Sequence, residues 1–140
     1  MSDLELPYQG VLLKTGETVY RPYVQVKFCY GKKSIKEFFT ALVDSGADRC
    51  ILDSKIADKL CIDYKTKGEK EEFLTPSGKT FGYRHKVIIA IKDGGKFATV
   101  ATFVENYNRI NLLGQTGLFD NYLVSFDKPK NKFYVRKKDS

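Results

Sequence analysis

One segment of this 140-residue chain combines residue types at a spacing that points to chemistry: Ala41-Leu42-Val43-Asp44-Ser45-Gly46-Ala47. An apolar run ends on a carboxylate, and a hydroxyl, a glycine and another small residue follow. Apolar surroundings raise the pKa of a carboxylate unless partners stabilise its charge. The small residues after Asp44 let backbone approach closely enough for amides to donate to that carboxylate. This is a setting for proton transfer. Taken alone, Asp-Ser-Gly-Ala is a weak signal, expected by chance in about one per cent of chains of this length at average residue usage. Asp, Ser and Gly also suit a tight turn after a strand.

Other chemistries find less support. His85 is the only histidine, and a zinc site needs three or four ligands, so no metal and no cofactor are expected. The three cysteines, Cys29, Cys50 and Cys61, are odd in number and form no Cys-x-x-Cys pair. A dyad of His85 with Cys50 or Cys61 lacks a helix N-terminus or cationic setting to activate the thiol, and buried free cysteine is the ordinary state. The net charge of +7 raises the question of acidic partners. Lysines are scattered through turns (Lys32, Lys33, Lys65, Lys67) and gather only from Lys128 to Lys138, a pattern that keeps strand edges soluble. A nucleic-acid-binding β-barrel would rest on charge alone, so no nucleic-acid partner is expected.

The elements that must position Asp44 read as strands. With 42% hydrophobic and 29% charged residues, and with Phe and Tyr placed beside Val, Ile and Thr, the chain reads as one all-β domain spanning residues 1–140, its core from about residue 20 to 136. Val24, Val26 and Phe28 alternate with polar residues from Tyr23 to Tyr30, and a second strand from Phe38 to Val43 leads into Asp44. Ile51 and Leu52 precede a helix from about Ser54 to Cys61 with Asp53 as its N-cap. The charged stretch Asp63 to Glu72 reads as a loop or an exposed strand edge. Thr75-Pro76-Ser77-Gly78 turns a hairpin whose return strand runs from Lys79 to Ile91. Asp93-Gly94-Gly95 turns again, into a strand from Phe97 to Val104. Ile110 to Leu113, one helical turn, and strands near Tyr122 to Phe126 and Lys132 to Val135 complete the chain. Short hairpins in series favour a closed barrel or a sandwich, with one or two short helices. No basic segment followed by an apolar run opens the chain, and nothing approaches a membrane span, so a cytoplasmic location with reduced thiols is the expectation.

Order and spacing together resemble the retropepsin family, the single-domain aspartic proteases that include the retroviral enzymes. Leu42-Val43-Asp44-Ser45-Gly46-Ala47 matches its active-site loop. The hairpin at Pro76-Ser77-Gly78-Lys79 stands where its flap lies. Leu112-Leu113-Gly114 matches the segment that packs behind the loop, and Ile51 to Cys61 resembles the helix of cellular and bacterial members. The resemblance covers roughly Tyr23 to Val135 and implies a closed retropepsin-like barrel.

The resemblance also implies roles. Asp44 would be catalytic, Ser45 would hydrogen-bond across a dimer, and Gly46 and Asp48 would contact the backbone of a peptide substrate under the flap. The reaction needs two carboxylates and the chain holds one Asp-Ser-Gly, so the second must come from another copy in a homodimer. The sequence departs from the family at Gln115, which stands where retroviral members have an arginine paired with the residue at Asp48. Its flap has only Gly78 near the tip. An aspartic endopeptidase is therefore the expected function, and a peptide-binding or scaffold protein on the same fold is the alternative.

Overall fold

The computed structural model describes residues 3–75 and 78–138. In chain order the elements are β1 (Leu4–Pro7), β2 (Gln9–Leu12), β3 (Thr18–Arg21), β4 (Tyr23–Tyr30), β5 (Lys33–Ser34), β6 (Phe39–Val43), β7 (Ile51–Asp53), α1 (Ser54–Lys59) and α2 (Tyr64–Lys67). There follow β8 (Glu69–Thr75), β9 (Gly78–Ile91), β10 (Gly95–Val104), β11 (Asn111–Leu113), α3 (Leu118–Asn121), β12 (Tyr122–Asp127) and β13 (Lys132–Lys137). The fold is all-β with short helices, as the sequence pattern predicts.

Alternation makes β4 a strand with one buried face: Val24, Val26 and Phe28 are buried and their neighbours are not. Period-2 side chains can then face a barrel interior. The main sheet runs β5-β4-β6-β11-β7-β10-β9-β8, and β9 also pairs with β4. That extra pairing, Val26↔Ile91 to Cys29↔Ile88, closes six strands (β4, β6, β11, β7, β10, β9) into a barrel. Closure removes edges that would otherwise be free to pair. Val26, Phe28, Leu52, Ile89, Phe103 and Leu113 fill the interior.

α1 begins where its cap predicts: the Asp53 side chain accepts from Lys55 N at 3.0 Å. The charged stretch after it is not all loop or strand. α2 forms there because Tyr64 is buried, with its ring 5.5 Å edge-on from Tyr83, so the described residues form three α-helices where one or two were expected. Among the described residues no helix is long and apolar enough to cross a membrane.

The first twenty residues, unassigned by the sequence pattern, supply β1 and the separate β2–β3 hairpin. β1 pairs with β13, and β13 with β12, in a terminal sheet of order β1-β13-β12. Much of the basic tail is engaged within the chain. Lys132 contacts Glu5 at 3.2 Å, Arg136 contacts Asp3 at 2.6 Å, and Lys128 lies over the Tyr8 ring. Lys132 and Tyr134 both donate to Glu5, holding its carboxyl below the usual range.

Candidate active site

Asp44 stands where β6 leaves the barrel wall, and its backbone is fixed from both sides. β6 runs parallel to β11 with Val43 opposite Leu113. Asp44 N donates to Leu113 O at 2.9 Å, and Val43 N donates to Pro22 O at 3.0 Å. The loop then folds back on the carboxylate: Gly46 N donates to Asp44 Oδ1 at 2.9 Å, and Ala47 N donates to Asp44 O at 3.2 Å. Asp44 is half-buried, while Ser45 and Gly46 are exposed. The Ser45 hydroxyl has no intrachain partner among the described residues.

Leu112-Leu113-Gly114 lies directly behind this loop. A Cβ at Gly114 would sit 2.4 Å from the Arg49 carbonyl oxygen and 2.5 Å from that of Ala47, closer than any side-chain carbon tolerates. Gln115 N donates to Ala47 O at 2.8 Å and Thr116 N to Asp48 O at 2.9 Å. The Gln115 side chain donates through Nε2 to Ser45 O at 2.7 Å. Where the resemblance leads one to look for an ion pair, this chain has a neutral clamp on the loop. The Asp48 carboxylate is exposed and has no ion-pair partner among the described residues.

The β8–β9 hairpin pairs from Glu69↔Arg84 to Thr75↔Gly78. Pro76 and Ser77 lie outside the described residues. Gly78 has φ +120, a conformation that a side chain would strain. Lys79 pairs with Glu72 at 3.3 Å, and Arg84 holds the base of the hairpin through Glu71 at 2.8 Å. Leu74, at 84% exposed, projects from the hairpin.

Beneath the hairpin lies a cleft of about 440 Å³, of a size usual for ligand sites. Phe73, Leu74, Lys79 and Thr80 form one wall, Ile51 and Leu112 the floor, and the segment 104–109 the far wall. A smaller cavity of about 160 Å³ joins Asp48 and Arg49 to Glu71 and Phe73. The structure thus places Lys79 and Leu112 at one cavity and Asp48 at a second that shares Ile51 and Phe73 with it, whereas Asp44 lines neither.

Sequence reasoning missed Tyr107 and Arg109 and read Gln115 only as a departure. Asn106 (φ 51) and Asn108 (φ 49) are both left-handed and flank Tyr107; two such turn-prone residues around an aromatic were the available signal. Burial pushes the Tyr107 phenol up, the Arg109 guanidinium pulls it down, and the Asp44 and Asp53 carboxylates push it up again. One phenol therefore lies within electrostatic reach of Asp44 and Arg109 together.

The rival nucleophiles are poorly placed. Cys50 is fully buried, its thiol pushed up by that burial and directed at Thr116 O, 3.6 Å away. A thiol kept protonated is a weak nucleophile. Cys61 is exposed rather than buried. His85 is half-buried, edge-on to Tyr30 at 5.1 Å, with Nδ1 2.9 Å from Lys86 O. Among the described residues no three His, Cys, Asp or Glu side chains form a group able to hold a metal.

Comparison with known proteins agrees with this geometry. No curated protein sequence matches the chain. The solved structure of a retropepsin-like aspartic protease from Rickettsia conorii superposes with a TM-score of 0.65 over 96% of this chain and 98% of that one. At 18% identity the likeness shows the fold. The family model described as "gag-polyprotein putative aspartyl protease" matches residues 36–119, more than half of the chain and all of the loop, hairpin and backing segment. The chain belongs to this gag-polyprotein aspartyl protease family and has the retropepsin-like fold.

Proposed function

We propose that the chain is one half of an aspartic endopeptidase, and that two copies of Asp44, facing each other across a two-fold axis, hydrolyse peptide bonds. The observation that carries this reading is the Asp44 carboxylate held by Gly46 N–H at the mouth of the barrel, on a loop that matches a protease family. Two further features favour a site shared between chains. The cleft of one chain stops short of Asp44, and the exposed Ser45 hydroxyl has no partner of its own among the described residues. A second copy supplies the missing wall, the missing carboxylate and a partner for Ser45.

In such a pair the two carboxylates share one proton, because two close negative charges are mutually unfavourable, and they titrate as a unit. This is the established behaviour of aspartic proteases as a class. The ionised carboxylate takes a proton from water as the water oxygen bonds to the peptide carbonyl carbon, and the protonated carboxylate gives its proton to the carbonyl oxygen. As the C–N bond breaks, the first carboxylate gives the amine the proton it took from water. One hydroxyl of the tetrahedral carbon returns its proton to the second carboxylate, leaving a carboxylic acid product and the pair with its one shared proton. The peptide lies extended under the β8–β9 hairpin, as an added strand. Gly46 and Asp48 meet its backbone, and the hairpin residues Pro76, Ser77, Gly78 and Lys79 are assigned to substrate binding. The terminal sheet, with β1 and β12 at its edges, is the surface assigned to pairing. Cys29, Cys50 and Cys61 are all unpaired, which fits a reducing cytoplasm.

Asp44→Asn tests the reading. It preserves size and the contact with Gly46 N–H but cannot share the proton. Cleavage of a peptide library across acid to neutral pH should disappear while the unfolding midpoint holds. An Asn variant that cleaves at a near-normal rate would exclude Asp44 as the catalytic group. A wild-type protein that binds peptides without cutting them would favour the binding-protein alternative.

A further inference from the structure

The cleft has a mixed lining, in which Ile51, Phe73, Leu74, Val104 and Leu112 supply the apolar surface among polar neighbours. Three charged side chains reach its rim, Lys79, Glu105 and Arg109, and two of them are already paired. Lys79 meets Glu72 at 3.3 Å and Glu105 meets Lys65 at 3.2 Å. The hydrogen bond from Lys65 to Glu105 raises the ammonium pKa. Arg109 alone has no carboxylate partner among the described residues. It stands exposed on the segment whose two left-handed asparagines turn Tyr107 into the cleft wall. Asparagine adopts that conformation more readily than most residues, so the pair fixes the turn around Tyr107. Arg109 is therefore the one charged side chain of the cleft left without an ion-pair partner among the described residues, beside the apolar surface of Ile51 and Leu112.

We propose that this cleft selects peptides with an acidic side chain, which Arg109 receives as a carboxylate, beside an apolar side chain seated on the floor. The proposal rests on the peptide-binding reading of the cleft. Arg109 is suited to the task because a planar guanidinium grips a carboxylate through two parallel N–H bonds and cannot lose its charge. A peptide with lysine at the same position would place like charges together.

The test uses matched peptides with Glu, Gln or Lys at each position in turn around an apolar residue, at pH 6–7 and low salt. Wild-type kcat/KM should favour Glu over Gln at one position by about ten-fold, as for a charge-assisted hydrogen bond. Arg109→Ala should bring that ratio close to one, and Arg109→Glu should reverse it in favour of Lys. The same peptides are titrated into Asp44→Asn protein by fluorescence anisotropy, so the preference is also read as binding, independently of cleavage. An acid preference in binding, with no cleavage of any peptide by the wild-type protein, would uphold the subsite and refute the endopeptidase reading. Cleavage or binding with no acid preference at any position would overturn the proposal, as would a preference that survives in Arg109→Ala.

Discussion

Replacing Gly114 with alanine perturbs the site through backbone alone. The new Cβ would lie 2.4 and 2.5 Å from the carbonyl oxygens of Arg49 and Ala47. Neither atom can rotate away, because each belongs to the loop backbone. Ordinary contact begins near 3.4 Å, so one segment must retreat by about 1 Å. Overpacking of this kind costs about 1–3 kcal/mol. The bond from Gln115 N to Ala47 O lies in the path of the retreat, and losing it adds about 1 kcal/mol. The sum, about 2–4 kcal/mol, lowers the melting temperature by roughly 8–16 °C at about 4 °C per kcal/mol for a domain of this size. A 1 Å displacement of a catalytic loop costs about 100-fold in rate. Circular dichroism melting and peptide cleavage read the two effects in one preparation. A Gly114→Ala protein that melts within a degree or two of wild type and cleaves at full rate would refute the close approach of the two segments.

Gln115→Ala removes the 2.7 Å bond to Ser45 O; kcat should fall about ten-fold, with stability lower by about 1 kcal/mol, and added salt should not reproduce the loss because the clamp is neutral. Tyr122 is buried and donates its phenol proton to Gly94 O at 2.8 Å, and burial pushes its pKa up to about 12. An acid whose folded pKa is raised contributes stability below its unfolded pKa and loses it as pH rises, here from about 10 through about 12. Wild type should therefore destabilise across that window in denaturant titrations, and Tyr122→Phe should show a shallower decline.

Where local pattern decides structure, the sequence was readable. The strand Tyr23–Tyr30 forms over its full expected length, because three buried alternating residues leave one register. α1 starts at its expected cap because Asp53 binds a first-turn amide. The terminal sheet was not readable: β1 is four residues long and its partner β13 lies at the far end of the chain, so only tertiary pairing defines it. α2 hid in a charged stretch because one buried ring, Tyr64, outweighs its polar neighbours. The placement of Leu112-Leu113-Gly114 behind Asp44 was foreseen from family resemblance, since parallel strand pairing leaves no local signature. Arg109 was invisible because its significance depends on Glu105 being occupied by the distant Lys65.

The central claim is that one chain contributes half of a catalytic pair. It is tested most directly by titrating wild-type protein with Asp44→Asn protein under conditions where subunits exchange, and following activity per wild-type chain. If each site needs two copies of Asp44, mixed dimers are dead. Activity per wild-type chain should then fall to about half at equal amounts and about a tenth at nine-fold excess of the variant, by random pairing in a two-fold dimer. Activity per wild-type chain that stays constant through the titration would contradict the account.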